Sequence, residues 1–105
     1  MFSGGDYEEV GRWLWNFVSA HAKRENLRVE ALVDMAEPRA GKSYGVRLRL
    51  GDRVLPAGDE PPLEMSFADV AARRGNLAWC DDLARQVRAL ASRFAGAAPS
   101  ARRSA

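Results

Sequence analysis

Cys80 and His21 are the only cysteine and the only histidine in this 105-residue sequence. If the two met, a thiolate beside an imidazole would be a nucleophilic pair able to attack an electrophilic carbon. Each falls on the apolar stripe of its own helical segment, however. A thiol in apolar surroundings has a raised pKa and stays protonated, so the expectation for Cys80 is packing. One histidine, one cysteine and scattered carboxylates lack the spacing of a metal site. The adjacent acids Glu8–Glu9 and Asp81–Asp82 diverge by ~100° on a helix and do not converge on a substrate. Asp59–Glu60 is a third such pair, and no G-x-S-x-G elbow accompanies the serines. Ala36 to Ser43, AEPRAGKS, fits a permissive phosphate-binding loop with alanine at the first glycine. That chemistry needs the loop to open a helix, so that free N–H groups face the phosphates. The residues after Ser43 alternate as a strand instead, so the segment reads as a hairpin connection. The expectation is a non-enzyme with no catalytic residue, no cofactor and no metal.

The elements that carry these residues are legible in the hydrophobic period. From Asn76 to Gly96, Leu77, Cys80, Leu83, Ala84, Val87, Leu90, Ala91 and Phe94 recur on one helical face. Asn76 suits the N-cap and Gly96 the C-terminal stop. Asp81 and Arg85 form an i,i+4 pair in the favourable orientation. A first helix runs from about Asp6 to Arg24, opened by Asp6 and Glu9 at capping-box spacing and ended near Asn26. Its apolar stripe is Tyr7, Val10, Leu14, Phe17, Val18 and His21.

Between the helices the period drops to two. Val29, Ala31, Val33 and Met35 alternate with Arg28, Glu30, Leu32 and Asp34; then Val46, Leu48 and Leu50 alternate with Arg47 and Arg49. These are half-buried antiparallel strands whose outward residues are acidic on the first and basic on the second. Leu50-Gly51-Asp52-Arg53 reads as a type II′ reversal into a short strand, Arg53 to Leu55. Pro56 to Pro62 is loop. Leu63 to Phe67 reads as a strand, and Ser66 with Asp69 reads equally as a helix start. The two readings are compatible if the strand runs straight into a short helix. The fold class is α+β: a two-layer domain of helix, small antiparallel sheet of two to four strands, and helix, with both helices on one face. Residues 1–96 form this domain, and 97–105 are expected to be a disordered tail.

Trp13 and Trp15 flank the stripe of the first helix on opposite sides. In two layers one flank faces the last helix and the other faces outward, so at least one indole is expected to be exposed. Tryptophan is enriched at binding hot spots, which makes Trp13 and Trp15 the candidate interaction residues.

Charge narrows the partner. Met1 to Asp52 holds eight basic and eight acidic residues, and Arg53 onward eight and six. Arg102 and Arg103 account for the excess, so the folded part is electroneutral and the basic pI is no footprint of nucleic-acid binding. No stretch of ~18 apolar residues is present to span a membrane, and no secretory leader is apparent. A lone cysteine suits a reducing cytoplasm. Arginine outnumbers lysine fourteen to two, a bias associated with GC-rich bacterial genomes. Helix, three antiparallel strands, helix is also the order of double-stranded RNA-binding domains, which the chain resembles in that order alone. Those domains use a lysine-rich start to the last helix; the corresponding stretch here holds Asp81 and Asp82 after Arg73 and Arg74. The expectation is therefore a protein-interaction or self-association module, bound to a protein partner or to itself as a homodimer. An RNA-binding module is the alternative, and a thiol enzyme using Cys80 comes third.

Overall fold

The computed structural model describes residues 6–103, with side chains up to residue 95. Its order is α1 Tyr7–Glu25, β1 Glu30–Asp34, β2 Ser43–Leu50, β3 Arg53–Leu55, β4 Leu63–Ser66, α2 Phe67–Arg73 and α3 Leu77–Arg103. Each helix begins at a side-chain cap. Asp6 Oδ1 accepts from the Glu9 N–H at 2.7 Å, Ser66 Oγ from Asp69 at 3.0 Å, and Asn76 Oδ1 from Trp79 at 2.9 Å. Caps of this kind contribute about 1 kcal/mol each by satisfying otherwise orphaned donors. Ser66 thus closes β4 and opens α2, reconciling the strand and helix readings of that segment.

β2 is the middle strand of an antiparallel sheet. β1 pairs along one side of it, while β3 and β4 share the other side end to end. Gly51 has φ of 62° and no other residue of the reversal has positive φ, as a II′ turn requires. The register sets Ala31 opposite Leu48, Leu48 opposite Leu55, Val46 opposite Leu63 and Tyr44 opposite Met65. Those residues line the inner face, where Val10, Leu14 and Val18 of α1 meet Val87, Leu90 and Phe94 of α3. The domain is the two-layer α+β arrangement expected from the alternating and helical periods.

Tyr44 is the largest fully buried side chain. Its ring stacks on Tyr7 at 4.7 Å, and its hydroxyl donates to the Tyr7 carbonyl at 2.6 Å. Burial holds the Tyr44 phenol well above its usual pKa. Gly11 lies against Met35 and Tyr44; a Cβ there would stand 2.8 Å from the Met35 thioether, which would have to shift.

The structure departs from the sequence reading at several points on α3. Leu77 is 85% exposed, although its spacing is that of the core face. Cys80, expected to be packed in the core, is only half-buried. Arg85 pairs with Asp82 at 3.2 Å, three residues away, in place of Asp81. Asp82 also accepts from Gln86 at 2.8 Å, which anchors it as the partner. The helix does not stop at Gly96 but continues to Arg103. Interior glycine costs only about 1 kcal/mol relative to alanine, so Gly96 between alanines does not by itself end the helix. Side chains of the expected tail, 97–105, lie outside the described residues. Phe94 is the last core residue of α3 among those described. A chain ended after residue 96 is expected to melt within about 2 °C of the full chain, as measured by calorimetry.

Candidate functional site

The outer face of the sheet carries three cross-strand rows, and each contains an arginine tied to the protein's own acceptors. In the first row Asp34, Gly45 and Glu64 stand side by side on β1, β2 and β4. Arg39, from the β1–β2 connection, lies flat over Gly45. Its Nη1 meets Asp34 at 2.7 Å, its Nη2 meets Glu64 at 2.8 Å, and its Nε donates to Glu64 at 3.1 Å. A Cβ on Gly45 would lie 2.7 Å from Arg39 Nε, so only glycine leaves the guanidinium room. The Arg39 hydrogen bonds hold the Glu64 carboxyl below its usual range, assisted by the Ser43 hydroxyl.

In the second row Leu32 faces Arg47, and no strand stands beyond Arg47 because β3 has ended and β4 has not begun. The gap is spanned by residues 56–62. Arg47 Nη1 donates to the carbonyls of Pro56 and Ala57 at 2.6 and 2.7 Å, and Nη2 to Glu60 at 2.9 Å. In the third row Arg49 pairs with Glu30, the acid-against-base match expected from the two strands.

The first two rows border a cleft of about 440 Å³ lined by Trp15, Leu32, Asp34, Arg39, Arg47 and Pro62 among others. Trp15 supplies one wall. Its indole is 46% exposed, and its Nε1 donates to the Ala31 carbonyl at 3.1 Å. Trp13, on the opposite flank of α1, is half-buried; it stacks on Phe17 at 5.1 Å and lies 6.4 Å from Trp79. The two tryptophans are therefore not brought together. A second recess of about 170 Å³ lies between β4 and α3, lined by Leu63, Met65, Trp79 and Leu83 with Asp82 and Gln86.

Cys80 and His21 make separate contacts. The Cys80 thiol donates to the Arg74 carbonyl at 3.3 Å, and burial, with Asp81 beside it, pushes its pKa up. The His21 ring lies 4.5 Å from Phe17, and its buried Nδ1 has no hydrogen-bond partner among the described residues. Burial, with Arg24 and Arg88 nearby, lowers the His21 pKa and favours the neutral ring. Among the described residues no hydrogen bond joins the two. Native protein at pH 7 is expected to react with a thiol reagent at least about tenfold more slowly than unfolded chain, because little thiolate forms. Equal rates in a stopped-flow assay would show the thiol to be activated.

Lys42 is exposed in a turn, and β2 begins at Ser43, so the AEPRAGKS segment opens no helix. The Lys42 and Ser43 N–H groups both donate to the Arg39 carbonyl, at 2.7 and 3.0 Å, and are not free to cradle phosphate. Among the described residues no three His, Cys, Asp or Glu side chains are grouped to hold a metal ion, and no helix is long and apolar enough to cross a membrane.

Leu32 and Arg47 are recognisable from the sequence as outward strand residues. The reach of Arg39 is not, and its one signal is Gly45, a glycine inside an alternating strand that marks close approach of another group. Compared with family models, curated proteins and solved structures, this chain matches none.

Proposed function

We propose that this chain is a small non-enzymatic cytoplasmic domain that binds another protein, or a second copy of itself, through the outer face of its sheet. The cleft beside Trp15 is the observation that carries this reading. A half-exposed indole, Leu32 and Pro62 offer apolar contact, and every arginine around them is already matched by the domain's own acceptors. Such a recess gains by excluding water against an apolar side chain, as interface hot spots do. Phosphate groups would have to compete with Asp34, Glu64, Glu30 and three carbonyls for those guanidiniums, which disfavours nucleic acid. Trp13 is committed to the rim between α1 and α3 and adds less than Trp15.

The test uses Leu32→Ser, which alters the cleft floor and leaves the Trp15 hydrogen bond in place. Light scattering over a concentration series reads self-association, and affinity capture with mass spectrometry reads a partner. The expected result is one association, homotypic or heterotypic, weakened about tenfold or more by Leu32→Ser at an unchanged melting temperature. Identical behaviour of the two proteins would contradict the proposal. Salt-dependent retention of duplex RNA would favour the RNA-binding alternative.

A further inference from the structure

β1 is the outermost strand on its side of the sheet. In an antiparallel ladder, alternate residues direct their N–H and C=O groups to opposite edges. The Phe67 N–H donates to the Lys42 carbonyl, so β2 turns residues 44, 46 and 48 towards β3 and β4 and residues 45, 47 and 49 towards β1. Their partners Glu30, Leu32 and Asp34 are the hydrogen-bonded residues of β1. The groups of Val29, Ala31 and Val33 therefore point to the open edge. Such an edge is a template for another strand, and proteins commonly blunt it with a lysine or by laying an element along it.

Two side chains of α1 reach that row of groups. Trp15 Nε1 donates to the Ala31 carbonyl at 3.1 Å. Lys23 Nζ donates to the Val29 carbonyl at 3.0 Å and to that of Leu27 at 3.2 Å. Residues 15 and 23 lie about two helical turns apart, while their acceptors are two strand residues apart; the indole and the lysine stem converge on the edge. We infer that Trp15 and Lys23 guard the β1 edge, occupying carbonyls that an added strand would need and thereby keeping this domain from strand-to-strand association through β1. The guard directs association away from the backbone edge and onto side chains of the outer face. Trp15 is both a guard of this edge and a wall of the cleft, and amide exchange at Ala31 and Val33 separates an added strand from altered binding in the cleft.

The experiment uses the full chain carrying Trp15→Phe and Lys23→Met, which keeps most apolar contact and removes both donors. Molecular mass is read by light scattering over a concentration series, and amide exchange is resolved at residues 30–34. The double variant is expected to reach about twice the monomer mass as concentration rises. Its Ala31 and Val33 amides, which face the edge, should slow about tenfold or more, while Glu30, Leu32 and Asp34, already in the ladder, stay unchanged. In the unaltered chain Ala31 and Val33 should exchange quickly at every concentration. Equal mass and equally fast exchange in both proteins would overturn the inference. Association without slowing at Ala31 and Val33, or with slowing confined to Glu64 on the far edge, would also overturn it. Should the double variant not fold, Trp15→Phe alone is read by the same two measurements and judged by the same outcomes.

Discussion

Phe94→Ala should cost about 3–5 kcal/mol and lower the melting temperature by more than about 10 °C. Phe94 is 1% exposed and is the last core residue of α3 among those described, so its removal leaves a cavity in the shared core. It also takes away the ring under the Arg53 guanidinium, 5.1 Å from its centroid. Arg53 holds the β2–β3 turn to α3 through a 3.0 Å hydrogen bond to the Phe94 carbonyl, which the substitution leaves in place. The loss should therefore be that of an aromatic core residue and not of the turn. Leu77→Ala is the matched control on the same helix. At 85% exposure it should shift stability by less than about 0.5 kcal/mol, since surface changes seldom do more. Thermal and urea unfolding measure both. Similar effects from the two substitutions would show that α3 is not seated on the sheet by its carboxyl half.

Arg47→Met should cost about 2 kcal/mol and release residues 56–62 from the outer face. The guanidinium makes three hydrogen bonds to carbonyls of that loop, and bonds from a charged donor are the stronger kind. Part of the cost is offset because Glu60 is exposed and water can replace the donor there. Methionine retains the apolar stem, which isolates the hydrogen bonds. Amide exchange should accelerate across the loop, including the Glu60 N–H that donates to Ala57 at 2.8 Å, and should stay unchanged in α1. Because Pro62 lines the cleft, the same variant should lose the association proposed above. Unchanged exchange in the loop would mean that something other than Arg47 holds it.

The framework of this domain is written locally, which is why so much of it can be read from the chain. The helical stripes, the three N-caps and the alternation along β1 and β2 each depend on residues within a few positions of one another, and apart from Leu77 and Cys80 on α3 the structure places them as read. What could not be read depends on distance along the chain. Arg39 bridges Asp34 and Glu64, residues 30 apart in sequence, and nothing local to Arg39 points to either partner. Tyr7 donates to the Ser43 carbonyl at 2.6 Å across 36 positions, joining the start of α1 to the start of β2. The exposure of Leu77 was hidden for a related reason. Its period is that of the core face, but whether a neighbouring element covers the first turn of a helix is set by tertiary packing and not by the period. Of the candidate site, helix geometry gave one outward indole of the two without saying which; that it is Trp15, and that a loop held by Arg47 completes the cleft beside it, depends on the tertiary packing. The alternation marks Arg47 as outward and cannot say what it holds.

A photo-reactive phenylalanine analogue placed at Leu32, on the cleft floor, tests the central claim most directly when compared with the same analogue at Ala89, exposed on α3. Irradiation in cells should give a single discrete adduct from position 32, of dimer or partner mass, that is weakened by Arg47→Met and absent from position 89. No adduct from position 32, or the same adducts from both positions, would contradict a docking site on the outer face of the sheet.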